Sequence, residues 1–520
     1  MSPLCCRLLA IAATVACLTP ANAQVPASPA NQTAALSAEA AQADFVRRFP
    51  AWQSTAVLDR LRASDFARLD QKHQVYLDYT GGNLYAARQV SQHQRDLLDG
   101  VYGNPHSENP SSLASTVQVE GARTAILDYF RAPHDEYAVI FTPNASGALR
   151  LVGESYPFSG ESRLLLSTDN HNSVLGIGEF AIDDNSRVDY VPLDGDELRL
   201  DAKALADKLA QGRAGVRNLF AYPAQSNFSG VKHPLELIDQ AHAAGWDVLL
   251  DAAAFVPSNR LDLSRWKPDF VCVSFYKMFG YPTGVGCLLV RKDSLARMRR
   301  PWFAGGTVDV SSVGARTHIM RDDAAAFEDG TVDYLSIPAV TIGLRLMDEV
   351  GIETIRTRVE CLTGWLLETM PTLRHSNGAP LVKVHGPKRL EARGGTVSFT
   401  LLDPNGKVID VTAAGALASK SGISLRTGGC FCNPGAGETA FGIDPARIRA
   451  VLDASAKAGD ESARDDLFQQ FGIHVLRASF GWASNFEDAR ALVTLLRGFI
   501  DRTEDQIGHV PNGHKGPESP

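Results

Sequence analysis

Cysteine is scarce in this chain of 520 residues. It has eight cysteines, and three of them lie within the first 17 residues. The other five are Cys272, Cys287, Cys361, Cys430 and Cys432. They are too few for a disulfide framework, and no further Cys or His pair at zinc-like spacing accompanies them, so we expect no structural metal site. Cys272 and Cys287 stand in apolar runs and are expected to be buried as small hydrophobic residues.

An excess of positive charge is also missing. The chain has 51 Lys and Arg against 59 Asp and Glu, which gives a formal net charge of -8. A nucleic-acid partner needs a basic face, so we expect none. Hydrophobic residues make up 44% and charged residues 21%, which is typical of a soluble globular protein.

No hydrophobic run is long enough to be a convincing membrane span. In the first 23 residues, Arg7 precedes a short apolar run, and Ala21-Asn22-Ala23 has the small-x-small form of a cleavage site. This pattern predicts a signal peptide over 1–23 and a periplasmic or secreted location, with the cytoplasm as the alternative. Residues 24–43 are predicted to be a linker and residues 506–520 a disordered tail.

Between these ends, short apolar segments alternate with segments of helical spacing. Six apolar segments read as strands: 136–143, 163–168, 216–223, 246–254, 269–276 and 286–291. Segments of helical spacing, such as "PLELIDQAHAAG", end at glycine. The order predicts an α/β fold in which helices cover a mostly parallel sheet, with a large domain over 44–335.

Beyond this region the pattern changes. Residues 337–370 have long helical spacing, and two further strand-like runs cover 395–403 and 474–481. They predict a smaller α+β domain over 336–505.

Small, polar and glycine-rich residues follow five of the predicted strands. The stretches are "TPNASGA", "TDNHNS", "PAQSNFSG", "DAAAF" and "SFYKMFGYPTG". Ligands of parallel sheets bind at the carboxyl ends of the strands, so the five together predict a cofactor site. Lys277 lies in the last stretch. Most lysines are solvated surface charges, but apolar surroundings would lower the pKa of this one, as a Schiff-base lysine requires.

Cys430 and Cys432 lie one residue apart in "RTGGCFCNPG". A bridge between them would close a small, strained ring. A reactive thiol is therefore the best interpretation of the pair.

Taken with "DAAAF", "STDNH", "AQSN" and "RTGGCFC", the "SFYK" motif resembles those of class V, fold-type-I pyridoxal-phosphate (PLP) enzymes. The chain is most similar to the N-terminal desulfurase region of molybdenum cofactor sulfurases, in "SFYKMFGYPTG", "FAYPAQSNFSG" and "GCFCNPGA". The resemblance implies that the fold is that of a fold-type-I PLP enzyme. It also implies a homodimer that converts L-cysteine to L-alanine and passes sulfur to a separate acceptor, a molybdenum-type cofactor or another molecule.

The resemblance also implies roles for residues around the cofactor. Lys277 would hold PLP covalently and later move the substrate's Cα proton. Asp251 would pair with the pyridine nitrogen and keep it protonated, which makes the ring a strong electron sink. His171 would stack on the ring face, and Asn227 would donate to the ring's 3-oxygen.

The phosphate would lie at the start of the helix that "NASGA" opens. The backbone amides of Ala145 and Ser146 and the Ser146 hydroxyl would bind it there, as suits an anion at a helix N-terminus. Ser274 matches a further phosphate ligand. Thr331 matches a threonine that the neighbouring subunit of the homodimer contributes.

For the substrate, Arg477 matches the arginine that binds the carboxylate, with Arg426 as a second candidate. The resemblance also implies a nucleophile, a cysteine whose thiolate would attack the sulfur of L-cysteine and become a persulfide. Counting back from "NPG" matches it to Cys432. An extra glycine in Gly428-Gly429 disturbs the count forward from Arg426, so Cys430 stays as the alternative.

Two positions depart from ordinary cysteine desulfurases. Tyr276 stands where they have histidine, and Ala254 where they have glutamine; both changes fit the cofactor-sulfurase branch. The alternative function is another class V reaction on another amino acid, by an aminotransferase, epimerase or lyase. A non-catalytic protein of the same fold is a third hypothesis, and the intact set of Lys277, Asp251 and His171 argues against it.

Overall fold

The computed structural model describes residues 37–213, 215–458 and 471–507. The chain divides into two compact units, Met1–Asp44 and Phe45–Pro520. The predicted signal peptide lies outside the described residues, as do residues 24–36 of the predicted linker and residues 508–520 of the predicted tail. The predicted division near residue 335 stays a prediction.

The described strands build one large and one smaller sheet, with two minor strand pairs. In chain order they are β1 (Val75–Tyr76), β2 (Tyr137–Thr142), β3 (Arg163–Ser167), β4 (Arg187–Val191), β5 (Leu219–Pro223), β6 (Asp247–Asp251), β7 (Phe270–Ser274), β8 (Gly286–Arg291), β9 (Val308–Ser312), β10 (Thr317–Met320), β11 (Val382–His385), β12 (Thr396–Leu401), β13 (Ile423–Ser424), β14 (Arg426–Gly428) and β15 (Val475–Ser479).

The large sheet has seven strands in the order β2-β8-β7-β6-β5-β3-β4. Only β8 runs antiparallel to its neighbours, β2 and β7. Each of the six predicted strand segments contains one strand of this sheet. The prediction of a mostly parallel sheet is therefore confirmed.

The central strands of this sheet are apolar on both faces. Every residue of β5 and β7 is buried. Strands that helices cover on both sides read as continuous apolar runs, which is why they could be recognised in the sequence. Cys272 is fully buried in β7, and Cys287 is fully buried in β8. Both therefore behave as the small hydrophobic residues that we expected.

Helices lie between and after the strands. The described α-helices are Ala38–Arg48, Ala56–Asp65, Arg68–Gln71, Ala87–Asp99, Pro110–Tyr129, Ala145–Ser155, Asn172–Leu175, Ile177–Asp183, Ala202–Leu209, Leu237–Ala243, Phe275–Phe279, Lys292–Leu295, Pro338–Val350, Ile352–Thr369, Val411–Lys420, Pro434–Phe441, Pro445–Ala458, Phe486–Arg497 and Glu504–Ile507. The long helical pattern over 337–370 forms two helices, because Gly351 adopts φ +83° between them. Among the described residues, no helix combines the length and apolar character that a membrane span requires.

The smaller sheet has four antiparallel strands in the order β11-β12-β15-β14. Its register sets Arg477 of β15 directly opposite Arg426 of β14. Asp78, just after β1, forms a parallel bridge with Ser479, the last residue of β15. β14, β15 and the segment after β1 are distant in sequence but lie next to one another in the fold.

Candidate active site

Lys277 lies in a short helical turn at the end of β7. The helix Phe275–Phe279 ends at Gly280, which adopts φ +81° and whose N–H donates to the Tyr276 carbonyl at 3.0 Å. A Cβ atom at position 280 would lie 2.3 Å from the backbone nitrogen of Tyr85. Glycine is therefore required here by both conformation and space. This turn fixes the direction in which the lysine leaves the strand.

The surroundings of Lys277 lower the pKa of its amine. Burial is the largest cause, and the positive charges of Arg477 and Arg426 act in the same direction. The carboxylate of Asp251 and the thiolate of Cys432 act against them. The expected lowering of the lysine pKa is thus present, and it favours the neutral, nucleophilic amine.

A residue that the sequence analysis missed holds both sides of this turn. The Asn83 N–H donates to the Tyr276 carbonyl at 3.1 Å. The Asn83 side-chain amide donates to the Met278 carbonyl at 2.7 Å. The carbonyls on either side of Lys277 are therefore fixed by one residue.

Lys277 also lines a narrow cleft. The cleft is bordered by segments from the large sheet and from the smaller sheet. Its other lining residues are Tyr79, Thr80, Asn83, Gln225, Ala253, Ala254, Pro257, Ser258, Gly395, Thr396, Phe480 and Gly481. Ala254 stands here, where ordinary desulfurases have glutamine. Gln225 of the "AQSN" motif reaches the same cleft from the end of β5.

The predicted phosphate ligands converge at the start of the helix Ala145–Ser155. The Ala145 N–H donates to the Ser274 hydroxyl at 2.8 Å. The Ser146 hydroxyl lies 2.7 Å from the hydroxyl of Ser173. Backbone amides and hydroxyls at a helix N-terminus suit an anion. The structure thus brings Ala145, Ser146 and Ser274 together.

Ser173 joins this group to His171. Its N–H donates to Nδ1 of His171 at 3.1 Å, and its hydroxyl lies 3.1 Å from the same nitrogen. Burial lowers the pKa of His171, and the nearby Asp251 opposes that effect. The imidazole is therefore favoured in its neutral form, which suits a ring that stacks on a cofactor. The sequence signal for Ser173 was its place in "TDNHNS".

Asp251 is the last residue of β6 and its side chain is buried. One carboxylate oxygen accepts a hydrogen bond from the Ala253 N–H at 3.0 Å. Its charge acts on both Lys277 and His171, so the three predicted cofactor residues share one site. Asn227 joins it from the loop after β5, where its backbone carbonyl accepts a hydrogen bond from Arg477 at 3.1 Å.

These residues fit pyridoxal phosphate. The amine of Lys277 can hold an aldehyde, and the carboxylate of Asp251 can pair with a pyridine nitrogen. The His171 ring can lie against an aromatic plane. The group of Ala145, Ser146 and Ser274 can bind a phosphate.

The two predicted carboxylate-binding arginines share one acid that the sequence analysis missed. Arg477 Nη2 donates to Asp78 Oδ1 at 3.1 Å, and Arg426 Nη2 lies 2.6 Å from Asp78 Oδ2. The Arg477 side chain is only 4% exposed, whereas that of Arg426 is 49% exposed. Nε of Arg477 is buried and has no hydrogen-bond partner. A carboxylate at this guanidinium would supply one.

The two cysteines of the loop differ in their surroundings. Cys430 is buried in a cluster with Phe228 and Val475, and burial raises the pKa of its thiol to about 12. Cys432 is exposed, and a negative charge on its sulfur acts to raise the pKa of both Lys277 and Arg477. A nucleophile must be accessible and able to ionise, and burial opposes both for Cys430, so this arrangement favours Cys432.

Thr331 lies apart from this group. It is exposed, and its hydroxyl accepts a hydrogen bond from the Asn104 side chain at 3.3 Å. It borders a separate groove together with Pro143, Gly147 and Val285. The structure of this chain does not bring Thr331 to Lys277.

The chain is similar to known proteins over most of its length. Residues 75–492 match the family model for class-V aminotransferases. Molybdenum cofactor sulfurase from Bos taurus is 37% identical over 465 residues, with 84% of this chain and 51% of that protein covered. The sulfurase of the same name from Arabidopsis thaliana is 34% identical over 477 residues, with coverages of 84% and 58%. The chain thus spans little more than half the length of these curated relatives.

The fold has a counterpart among solved structures. A cysteine desulfurase from Thermococcus onnurineus NA1 superposes with a TM-score of 0.69 at 21% sequence identity, and the alignment covers 85% of this chain and 98% of the other. At this identity the likeness concerns the fold. Because the family match extends over most of the chain and the cofactor residues meet in one site, this protein belongs to the class-V aminotransferase family.

Proposed function

We propose that this protein is a PLP-dependent cysteine desulfurase, which takes sulfur from L-cysteine and passes it to a separate acceptor, a molybdenum-type cofactor or another molecule. The single observation that carries the proposal is the place of Cys432. This thiol is exposed, yet it lies close enough for a negative charge on its sulfur to act on Lys277 and Arg477, the predicted cofactor lysine and carboxylate-binding arginine. A thiol in this place can reach a substrate that both residues hold.

Binding of the amino acid falls to Arg477. The side chain is buried, fixed by Asp78 and the Asn227 carbonyl, and has an unpartnered Nε. A substrate carboxylate would satisfy this donor and gain a charge-assisted hydrogen bond at a buried guanidinium. The Lys277 amine, whose pKa burial lowers, can accept the Cα proton and return it.

Bound PLP supplies an electron sink that makes the Cα proton acidic and eases loss of the substrate's sulfur. The Cys432 thiolate attacks that sulfur, so an S–S bond forms as the Cβ–S bond of L-cysteine breaks. The electron pair of the broken bond stays with Cβ, which takes up a proton. The products are L-alanine and a persulfide on Cys432, and no external oxidant or reductant is needed.

The experiment uses the purified, PLP-loaded protein with L-cysteine and a reductant. Sulfide and alanine should form, and Cys432→Ser should abolish both while the yellow lysine-bound cofactor persists. Cys430→Ser is the matched control and should retain most of the activity, because the buried thiol at 430 stays protonated. Unchanged sulfide release in both variants would refute the persulfide mechanism and favour another class V reaction on an amino acid. Loss of activity only in Cys430→Ser would move the nucleophile to Cys430.

The acceptor is tested with the persulfide form of the same protein. Desulfo-molybdenum cofactor, supplied in a carrier protein, should remove sulfur from Cys432 faster than dithiothreitol at equal concentration. Equal rates with the two would point to another acceptor.

We also propose a homodimer, with Thr331 of one subunit reaching the cofactor site of the other. Two features support it. Thr331 is exposed and lies apart from Lys277 within the subunit. The preceding segment also exposes large apolar side chains, namely Trp302, Phe303, Val310, Val313 and Ile319. Sedimentation should give twice the chain mass for the native protein, and Val313→Asp with Ile319→Asp should give a monomer that retains PLP less well. A native monomer with full activity would exclude the dimer.

For location, we propose export to the periplasm or the exterior after removal of residues 1–23. The support is the small-x-small sequence before Gln24. In cells that express the full chain, the mature protein should begin at Gln24 and leave the cytoplasmic fraction. A chain that keeps residue 1 and stays in the cytoplasm would establish the alternative location.

A further inference from the structure

The side chain of Phe431 lies between the carboxylate-binding arginine and the cysteine loop. The guanidinium carbon of Arg477 is 4.7 Å from the centre of the Phe431 ring. The residue after Phe431 is Cys432, the proposed nucleophile. One aromatic ring therefore contacts the residue that binds the substrate carboxylate and is covalently next to the residue that takes the sulfur.

The backbone of this loop adopts an uncommon conformation. Phe431 and Cys432 have φ values of +49° and +64°, two successive left-handed residues that are not glycine. Such residues cost free energy and persist only where surrounding contacts hold them. The contacts must therefore come from outside the pair.

Hydrogen bonds hold the loop on its far side. The Cys432 carbonyl accepts from the Asn172 N–H at 2.7 Å. The side-chain amide of Asn433 donates to the Asp169 carbonyl at 2.6 Å, and its N–H donates to the Cys430 carbonyl at 2.9 Å. The bond between residues 433 and 430 closes a turn whose central residues are 431 and 432, and the other two bonds attach residues 432 and 433 to the segment 169–172. The contact of residue 431 with the substrate site comes from its ring, which packs on Arg477 and lies 6.1 Å from the ring of Phe228.

Arg477 is held from three directions. Asp78 lies at one edge of the guanidinium, the Asn227 carbonyl at another, and Phe431 covers a face. The unpartnered Nε is left for a ligand. A carboxylate that binds there changes the position and charge balance of the same guanidinium that Phe431 packs against.

We propose that Phe431 is a positioning residue that couples carboxylate binding at Arg477 to the conformation of the loop carrying Cys432. The ring keeps the left-handed conformation in place, and an amino-acid carboxylate on Arg477 strengthens it. The inference rests on the proposed function for its purpose, but the coupling itself concerns only Arg477, Phe431 and the loop. It makes the nucleophile's position respond to the presence of an amino acid.

The test measures amide hydrogen exchange of a peptide covering residues 427–433 in the PLP-loaded full chain. Phe431→Leu keeps an apolar side chain but removes the aromatic face, and we expect exchange to rise about three- to tenfold. Arg477→Met should raise it to a similar degree, and the double variant should exchange no faster than the faster single variant. Effects that multiply in the double variant would refute the coupling, as would an Arg477→Met variant with unchanged exchange.

Matched substitutions separate the ring from general packing. Phe441→Leu makes the same change in the same apolar cluster but away from Arg477, and the effect of Arg477→Met should persist in full in that background. Phe431→Tyr, which keeps the ring, should retain slow exchange. Phe431→Gly removes the cost of a positive φ together with the ring, so it should exchange as fast as Phe431→Leu. Slow exchange in Phe431→Gly would show that backbone preference alone sets the loop and would overturn the proposal.

A second experiment tests whether a ligand carboxylate slows exchange of the loop. It compares L-alanine with ethylamine at equal concentration, since only L-alanine carries a carboxylate. L-alanine should slow the exchange of the 427–433 peptide in the native protein, ethylamine should not, and Phe431→Leu should lose the effect. Equal effects of the two amines would overturn the coupling. If the coupling is present but L-cysteine yields no sulfide, the proposed function fails and this inference stands.

Discussion

Asp78 accepts a hydrogen bond from the buried Arg477 at 3.1 Å, while its other carboxylate oxygen pairs with Arg426 at 2.6 Å. The two arginines face each other directly across β14 and β15. Like charges opposite each other on neighbouring strands are destabilising. One acid, brought in by the segment after β1, therefore makes this pair of cations compatible with the fold.

Asp78→Asn should destabilise the protein by about 3 kcal/mol, because it leaves a buried arginine without its acid. The KM for L-cysteine should also rise, since the guanidinium of Arg477 loses the contact that orients it. Arg426→Gln is the matched control. That side chain is half exposed, so the cost should stay below about 1 kcal/mol. Denaturant unfolding of the two PLP-loaded variants measures the loss in free energy of unfolding, and steady-state kinetics measures KM. Equal losses of stability in the two variants would contradict the assignment of Asp78 to Arg477.

Asn83→Ala should lower kcat/KM by about tenfold, because the turn that carries Lys277 loses one of its two ties and small displacements of reacting groups are costly. Loss of the bond to the Met278 carbonyl should cost about 1 kcal/mol of stability. Steady-state kinetics with L-cysteine provides the measurement.

Asn377→Ala serves as the control for this change. Its side chain donates to the Pro404 carbonyl at 2.7 Å on the exposed surface, a bond of the same kind. It should leave kcat/KM unchanged. A similar fall in activity for the two variants would mean that Asn83 acts only through overall stability.

The fold was largely predictable because its large sheet is buried on both faces. Strands such as β5 and β7 are continuous apolar runs, and this local pattern is visible without any tertiary information. The position of the predicted cofactor site was also predictable. Lys277 and His171 follow β7 and β3, Asp251 ends β6, and the carboxyl ends of parallel strands meet at one edge. The roles of these residues toward a cofactor stay predictions that the family resemblance implies.

Asp78 and Asn83 were missed for a physical reason. They follow β1, which has two residues and pairs with β13, nearly 350 positions along the chain by the numbering of its partners. So short a strand has no period to detect, and its position is fixed only by long-range contacts. Phe431 was missed because its contact with Arg477 depends on the register of β14 against β15, which the sequence does not reveal.

Gly437→Ala should destabilise the protein by about 2 kcal/mol through overpacking. A Cβ atom at this position would lie 2.3 Å from Sγ of Cys430. Gly121→Ala is a helical control with open space around the new methyl group, and it should stabilise by about 0.5–1 kcal/mol.

A double variant tests whether the steric clash in Gly437→Ala involves Sγ of Cys430. Adding Cys430→Ala to Gly437→Ala removes the atom that collides and should recover part of the lost stability. Thermal unfolding of the native protein, the two single variants and the double variant measures the change in stability at each step. If the two substitutions simply add, Sγ of Cys430 is not the source of the strain.

The rate at which the apoprotein takes up PLP should rise with pH and level off below 10.5, the ordinary pKa of a lysine, because burial lowers the pKa of Lys277. The carboxylate of Asp251 opposes that lowering, so Asp251→Asn should move the inflection to lower pH. The charge of Arg426 adds to the lowering, so Arg426→Gln should move it to higher pH. The rate of uptake is measured at each pH from the absorbance of the lysine-bound cofactor. Shifts in the same direction for both variants would contradict the electrostatic assignment, because the two charges act on the same amine with opposite signs.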